Sequence, residues 1–330
     1  MSEIRTVTLR TDTCAAVLTN LGARLLELHV PDRSGNLADI VLQRPTFDAI
    51  ATDDTYMGAT AGRFANRIRG GRLSIDGQDV QLSVNEGPHH LHGGLSGFDR
   101  KLWSTELGSD GSEVAFRRIS PDGEEGYPGT LTATVTYRLD GSALIVDIRA
   151  TTDAATIVNI VHHSYFNLGG HDSDTILDHD LQMHSSSYLP VDDDLLPTGE
   201  ILAVAGTPFD FRAATPIGKN IAGATHSGTG YDHNWVLAGA GMREVAILSD
   251  ARSGRRLTLS TNQPGLQMYA GGYLEGVSGK SPVTRYPAFA GLAMETQTFP
   301  DAVNHPHFPR ADLHPGQNYH NSVRFDFSTF

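Results

Sequence analysis

The sequence predicts an all-β protein, and three observations carry that prediction. Apolar and polar residues alternate with period two over long stretches, Asp-Gly pairs separate alternating runs, and sustained helical periodicity is scarce. Leu131, Ala133, Val135, Tyr137 and Leu139 fall on one face of an extended chain, while Thr132, Thr134, Thr136 and Arg138 fall on the other, as in a half-buried strand. Asp140-Gly141 follows, and Leu144, Val146, Ile148 and Ala150 resume the alternation. An Asp-Gly pair there predicts a type I′ hairpin turn, whose two central residues need positive φ. The same design recurs around Asp76-Gly77, between Leu73 and Val80. A third hairpin is expected at Ala251-Arg252-Ser253-Gly254, with Val245 and Ile247 on one arm and Leu257 and Leu259 on the other. One short helix is expected between Arg44 and Asp54. Many short strands, punctuated by 35 glycines and 16 prolines, argue a large antiparallel β-sandwich or a barrel. No linker, charge block or repeat marks a boundary, so one domain over residues 1–330 is expected.

Bulk composition narrows the function classes. With 39% hydrophobic and 19% charged residues, the chain is globular, and 330 residues bury a sizeable core without staples. The net charge of −13 repels phosphate backbones and anionic lipids, which argues against nucleic acid and membrane as partners and leaves a neutral small molecule open. Cys14 is the sole cysteine, so no intramolecular disulfide and no cysteine-based zinc site can form. One thiol in so long a chain suggests a reducing compartment. The residues after Met1-Ser2 contain no apolar secretory core, and no stretch approaches the ~18 apolar residues of a spanning helix. A soluble cytoplasmic protein is expected.

Several segments do not read as ordinary sheet. Gly62-Arg63-Phe64-Ala65-Asn66-Arg67-Ile68 offers guanidinium and amide donors in fixed geometry, suited to a polyhydroxylated ligand; a turn with solvated arginines is the plainer reading. His89-His90-Leu91-His92-Gly93-Gly94 holds three histidines, but lacks the carboxylate or His-Glu-x-x-His helix of a catalytic zinc site. Its paired glycines suggest a sharp turn that aims a histidine into a cleft. In Val161-His162-His163-Ser164-Tyr165, strand alternation puts His163 and Tyr165 on one face and His162 on the other; a hydrogen-bonded core histidine is the alternative for either ring. Gly228-Thr229-Gly230-Tyr231-Asp232-His233-Asn234-Trp235 mixes polar groups with an aromatic plate, as a sugar site requires, or is a turn capped by Asp232. Gln263-Pro264-Gly265-Leu266-Gln267-Met268-Tyr269 is a further such segment. Glu295 lies in an apolar run from Phe289 to Met294, where desolvation raises a carboxyl pKa; it needs a hydrogen-bond partner or a chemical role.

Taken together, these segments resemble the galactose mutarotase (aldose 1-epimerase) family over almost the whole chain. The resemblance is carried, in order, by the Gly62 to Ile68 segment, Leu91-His92-Gly93-Gly94 with Phe98-Asp99, and the run from Ser120 to Gly129. It continues through His163 to Leu168, Tyr188 to Asp192, Asp232-His233-Asn234, Gln263-Pro264-Gly265, Glu295-Thr296-Gln297 and Pro300 to Asn304. It implies a supersandwich with an open cleft on one sheet and no cofactor. It also implies that Asn66, Arg67, His92, Tyr165, Asp232 and Gln267 bind sugar hydroxyls, with His163 as general acid and Glu295 as general base. One departure is His162, where the family commonly has Asn. Pointing away from the cleft it leaves the acid untouched; pointing inward it perturbs His163.

The implied reaction can be checked against the residues. Opening a hemiacetal protonates the ring oxygen O5 and deprotonates the C1 hydroxyl; the aldehyde turns about C1–C2 and recloses. An acid and a base on opposite sides of C1 suffice, each transfer being worth ~10²–10⁴-fold. The only partner implied is the sugar, for a monomer or homodimer. A non-catalytic sugar-binding protein on the same scaffold is the alternative. A glycosidase would need a second carboxylate, for which Asp232 is the nearest candidate.

Overall fold

A computed structural model describes residues 3–109, 111–224, 229–281 and 283–330. Met1-Ser2 and Gly228, which figured in the reading above, lie outside these residues. The named strands pair antiparallel, chiefly in sheets of nine, six and four strands. Among the described residues there is one α-helix, Phe47–Ala51, inside the expected window and capped by Thr46 Oγ1 accepting from Ala49 N at 3.2 Å.

The nine-stranded sheet is built from long hairpins. Leu131–Asp140 pairs with Ala143–Thr152, which pairs with Tyr319–Thr329, which pairs with Arg255–Thr261. The alternation read from the sequence holds: Leu131, Ala133, Val135, Tyr137 and Leu139 are buried, as are Leu144, Val146, Ile148 and Ala150 on the neighbouring strand.

The turns sharpen the sequence reading. Asp76-Gly77 closes its hairpin with φ of +51° and +79°, as a type I′ turn requires. At the longer hairpin Asp140 instead pairs with Ala143, so the two-residue loop is Gly141-Ser142, and of these only Gly141 has positive φ (+59°). A glycine at the first central position is the II′ signature, so the ladder runs one residue further than the expected Asp140-Gly141 turn. Residues 251–254 connect Arg243–Asp250 to Arg255–Thr261 as expected, but a bulge near Val245 shifts the alternation. Val245 is buried, yet beyond the bulge Ala246 and Leu248 face the core and Ile247 does not.

The six-stranded sheet runs Tyr165–Phe166, Leu292–Gln297, Gly265–Tyr269, Asp232–Val236, Ser187–Leu189, Leu202–Ala203. One cluster of buried side chains fills the space between the sheets. It draws Val146, Ile148 and Phe325 from the nine-stranded sheet, Trp235, Leu266, Met268, Leu292 and Met294 from the six-stranded sheet, and Leu18, Leu25 and Leu28 from the four-stranded one. The six-stranded sheet thus turns one face to this core and offers the other to a cleft.

Candidate active site

Strand register assembles the floor of the cleft. Asn234 pairs with Gln267, and Gln267 pairs with Glu295; in the next row Asp232 pairs with Tyr269, Tyr269 with Ala293, and Ala293 with Tyr165. Residues two apart share a face. Leu266, Met268 and Met294 go to the core, so Asp232, Gln267, Tyr269, Tyr165 and Glu295 point the other way. Val161–His163 is not part of this sheet: it pairs with Ala59–Ala61, and the chain breaks at Ser164 before Tyr165 joins Leu292–Gln297. His163 and Tyr165 nevertheless share the cleft side, with ring centroids 5.1 Å apart.

The cleft encloses about 320 Å³. Seven of the eight residues assigned roles by the resemblance line it: Asn66, Arg67, His92, His163, Tyr165, Asp232 and Glu295. Gln267 is buried and reaches the cleft through Asp232, donating from Nε2 to Oδ1 at 2.7 Å. The Tyr165 hydroxyl donates to Thr55 O at 2.9 Å, so toward a ligand it offers its ring and a lone pair.

His163 Nε2 and Glu295 Oε1 lie 3.5 Å apart, and both side chains are almost wholly shielded from solvent. His163 Nδ1 and Glu295 Oε2 are shielded and have no side-chain hydrogen-bond partner, so neither ring nor carboxylate is tied down from behind. Burial pushes the His163 imidazole down to about 4 and the Glu295 carboxyl well above its ordinary range, the latter aided by the Asp232 charge and opposed by Arg67. Low dielectric therefore favours a pair with no net charge, holding one proton between them.

His162 points away from the cleft, as alternation predicts. It packs edge-on against Tyr137 and Phe325, and its Nδ1 meets the Tyr137 hydroxyl at 3.1 Å. Burial lowers its pKa to about 3, so it puts no charge behind His163 near neutral pH.

The rim is held by structural polar groups. Of the three histidines before Gly93, His89 accepts from Gly70 N through Nδ1 (3.1 Å) and His90 Nδ1 contacts Ser83 O (2.6 Å); only His92 faces the cleft. His92 Nδ1 accepts from Asn66 N at 3.2 Å, and burial keeps the ring neutral, so its proton sits on Nε2 as a donor. Arg63 is buried and its guanidinium donates to Ser120 O, Pro121 O and Gly129 O, which explains the Ser120 to Gly129 match as scaffold. Gly93, at φ +96°, lies so close to the Gly62 to Ile68 segment that a Cβ there would stand 1.7 Å from Gly62 O.

Tyr56 was missed from the sequence. Its ring lies 4.5 Å from that of His92 and 5.9 Å from that of His163, on a residue with φ +56°. Buried Arg24 fixes this loop, donating to Met57 O at 2.6 Å and pairing with Asp53 at 3.4 Å, while Asp53 Oδ2 accepts from Met57 N. No local signal marks Tyr56, because its position comes from this long-range network. Tyr269, at the end of the segment that begins at Gln263, lines the cleft too, as do Glu86 and Tyr273, which were not singled out.

His92, His163 and Glu295 bring ligand atoms within 4.8 Å of one another, a set that could hold a metal ion. The His92 tautomer weighs against it, since Nε2 carries a hydrogen rather than a free lone pair. A second group, Glu27, His29 and Asp39, has Asp39 already paired with Lys280. With Arg67 and Asp232 beside it, the first set suits a hydroxyl-bearing ligand: donors at His92 and Arg67, an acceptor at Asp232, and a His163–Glu295 pair able to pass a proton.

Comparison with known proteins gives the family. A family model described as aldose 1-epimerase matches residues 5–326. The chain is 44% identical to human galactose mutarotase, covering 97% of this chain and 93% of that one. It is 37% identical to the aldose 1-epimerase of Escherichia coli K12, covering 98% and 95%. Among solved structures, a C. elegans aldose epimerase homologue superposes with a TM-score of 0.93 at 31% identity over 99% of both chains. A Lactobacillus acidophilus galactose 1-epimerase gives 0.87 at 30% identity, covering 100% of this chain and 99% of that one.

Proposed function

The chain belongs to the aldose 1-epimerase family, and from that premise we propose that His163 and Glu295 are the acid and base that interconvert the α and β anomers of its aldose substrate. The isomerase activity is the family's; the assignment of roles rests on one observation, the 3.5 Å approach of His163 Nε2 to Glu295 Oε1 within the cleft.

The mechanism follows from that pair. Glu295 as carboxylate takes the C1 hydroxyl proton while His163 as imidazolium gives one to O5, and the C1–O5 bond opens. After rotation about C1–C2, the same groups exchange roles and the ring closes on the other carbonyl face. The reactive state needs the pair's single proton on His163, whereas burial alone favours it on Glu295. The two arrangements hold the same number of protons, so substrate hydrogen bonds need only redistribute one. Asn66, Arg67, His92 and Asp232 hold the remote hydroxyls while C1 turns, Gln267 steadies Asp232, and the Tyr165 ring walls the anomeric end.

The chain is read as one domain, since a single buried cluster spans three sheets. It is further read as cytoplasmic, monomeric or dimeric, and without cofactor. Its acidic charge supports the absence of nucleic-acid or membrane partners. The deciding experiment is polarimetry of freshly dissolved α-D-galactose and α-D-glucose with the wild type, His163→Asn and Glu295→Gln. Both variants should lose nearly all acceleration while still binding sugar; a near-normal rate in either removes that residue from its role. A non-catalytic sugar-binding protein would instead bind without accelerating anomer exchange.

A further inference from the structure

We propose that Glu86 is a specificity-determining residue of this cleft, accepting a hydrogen bond from one hydroxyl remote from C1; this rests on the reading of the cleft as the sugar site. Glu86 lies in the tight turn between Asn85 and His89, where Glu86 N donates to His89 O (3.1 Å) and His89 N to Glu86 O (2.9 Å). The Asn85 side chain ties that turn to the one carrying His92, accepting from Leu91 N at 2.8 Å and donating to Leu91 O at 3.0 Å. The backbone under Glu86 is therefore set by the same contacts that aim His92.

The carboxylate has one oxygen engaged and one to spare. Oε1 accepts from Arg67 Nη2 at 2.8 Å. Oε2 is shielded from solvent with no partner, although the residue as a whole is only half-buried at the rim of the cleft. A shielded carboxylate oxygen without a donor is costly; the side chain is 38% exposed at the rim, so a turn of the carboxylate brings Oε2 to a ligand hydroxyl that relieves that cost. Arg67 is flanked on its other side by Asp232 Oδ2 at 3.6 Å, so Glu86, Arg67 and Asp232 form an acceptor–donor–acceptor row along the cleft. Such a row discriminates among sugars, because an epimer that turns its hydroxyl away leaves a charged acceptor unsatisfied.

The test measures kcat and KM for D-galactose and for derivatives each lacking one hydroxyl remote from C1, in wild type, Glu86→Gln and Glu86→Ala. In the wild type one derivative should lose about 10-fold or more in kcat/KM, the scale of a hydrogen bond to a charged group. In Glu86→Gln and Glu86→Ala, D-galactose should fall toward that derivative, chiefly through KM, while the derivative itself should change less than about 2-fold. An equal penalty on every sugar would mean that Glu86 acts only by supporting Arg67, and overturns the proposal. No penalty on any sugar overturns it too. His163→Asn on the same panel separates this from the acid–base reading: it should depress kcat for all sugars alike, whatever Glu86 does.

Discussion

The nine-stranded and six-stranded sheets face the same core, yet they are written differently in the sequence. Leu131–Asp140 alternates between buried and more exposed positions along its length, because one face meets the core and the other meets water. Leu292–Gln297 and Gly265–Tyr269 are buried at every position, since core lies beneath them and the walled cleft above. Alternation is a signal only where one face is wet. The sheet that floors the cleft therefore loses the pattern that identifies strands, and gains a different one: polar residues set into fully buried runs.

If that contrast is right, the two sheets should fail in different ways. The largest effect is expected on the cleft side. Glu295→Gln is isosteric and should cut kcat/KM by ~10³-fold or more, with little change in Tm, as seen by polarimetry and calorimetry. The wild-type pH profile should be a bell. With one proton on the pair the enzyme is active; a second protonation, toward the His163 value of about 4, gives the acid limb. Loss of the shared proton, above the raised Glu295 range, gives the alkaline limb. A profile set by an unperturbed imidazole, falling away below about pH 6.5, would contradict the burial argument.

Beneath the cleft, Arg24→Met should cost about 3 kcal/mol in chemical denaturation, because it leaves the buried Asp53 carboxylate with only the longer contact to Arg44 at 3.8 Å. The folded fraction should also lose activity, as the Tyr56 loop loosens. In the nine-stranded sheet Ile148→Ala should cost about 2–4 kcal/mol and leave kcat unchanged in the folded protein. His162→Asn, introducing the amide common at that position in the family, should cost about 1–2 kcal/mol from lost packing against Tyr137 and Phe325, with the pH profile retained. The smallest effect belongs to the outer face: Thr134→Val should change stability by no more than about 0.5 kcal/mol.

What could be read in advance follows the same division. The long hairpins were legible because side-chain period and turn chemistry are local properties; where they misled, at Gly141-Ser142 and at the Val245 bulge, the register moved by a single residue. Cleft residues in ordered motifs were legible through resemblance, and the orientation of His162 through strand alternation. Tyr56 and Glu86 were not. The Tyr56 loop is held by Arg24 from far along the chain, and the Glu86 carboxylate is aimed by Arg67, so what turns either side chain to the cleft leaves no signature beside it in the sequence.

Gly93 has a mechanical consequence. With its backbone against the Gly62 carbonyl and no room for even a methyl group, the turn bearing His92 and the segment bearing Asn66 and Arg67 share one seam. They form a single jaw: neither can slide without carrying the other, so the donors along that edge keep fixed spacing whatever occupies the space between. Against that rigid ruler a flexible, newly opened aldehyde has only its C1 end left to swing.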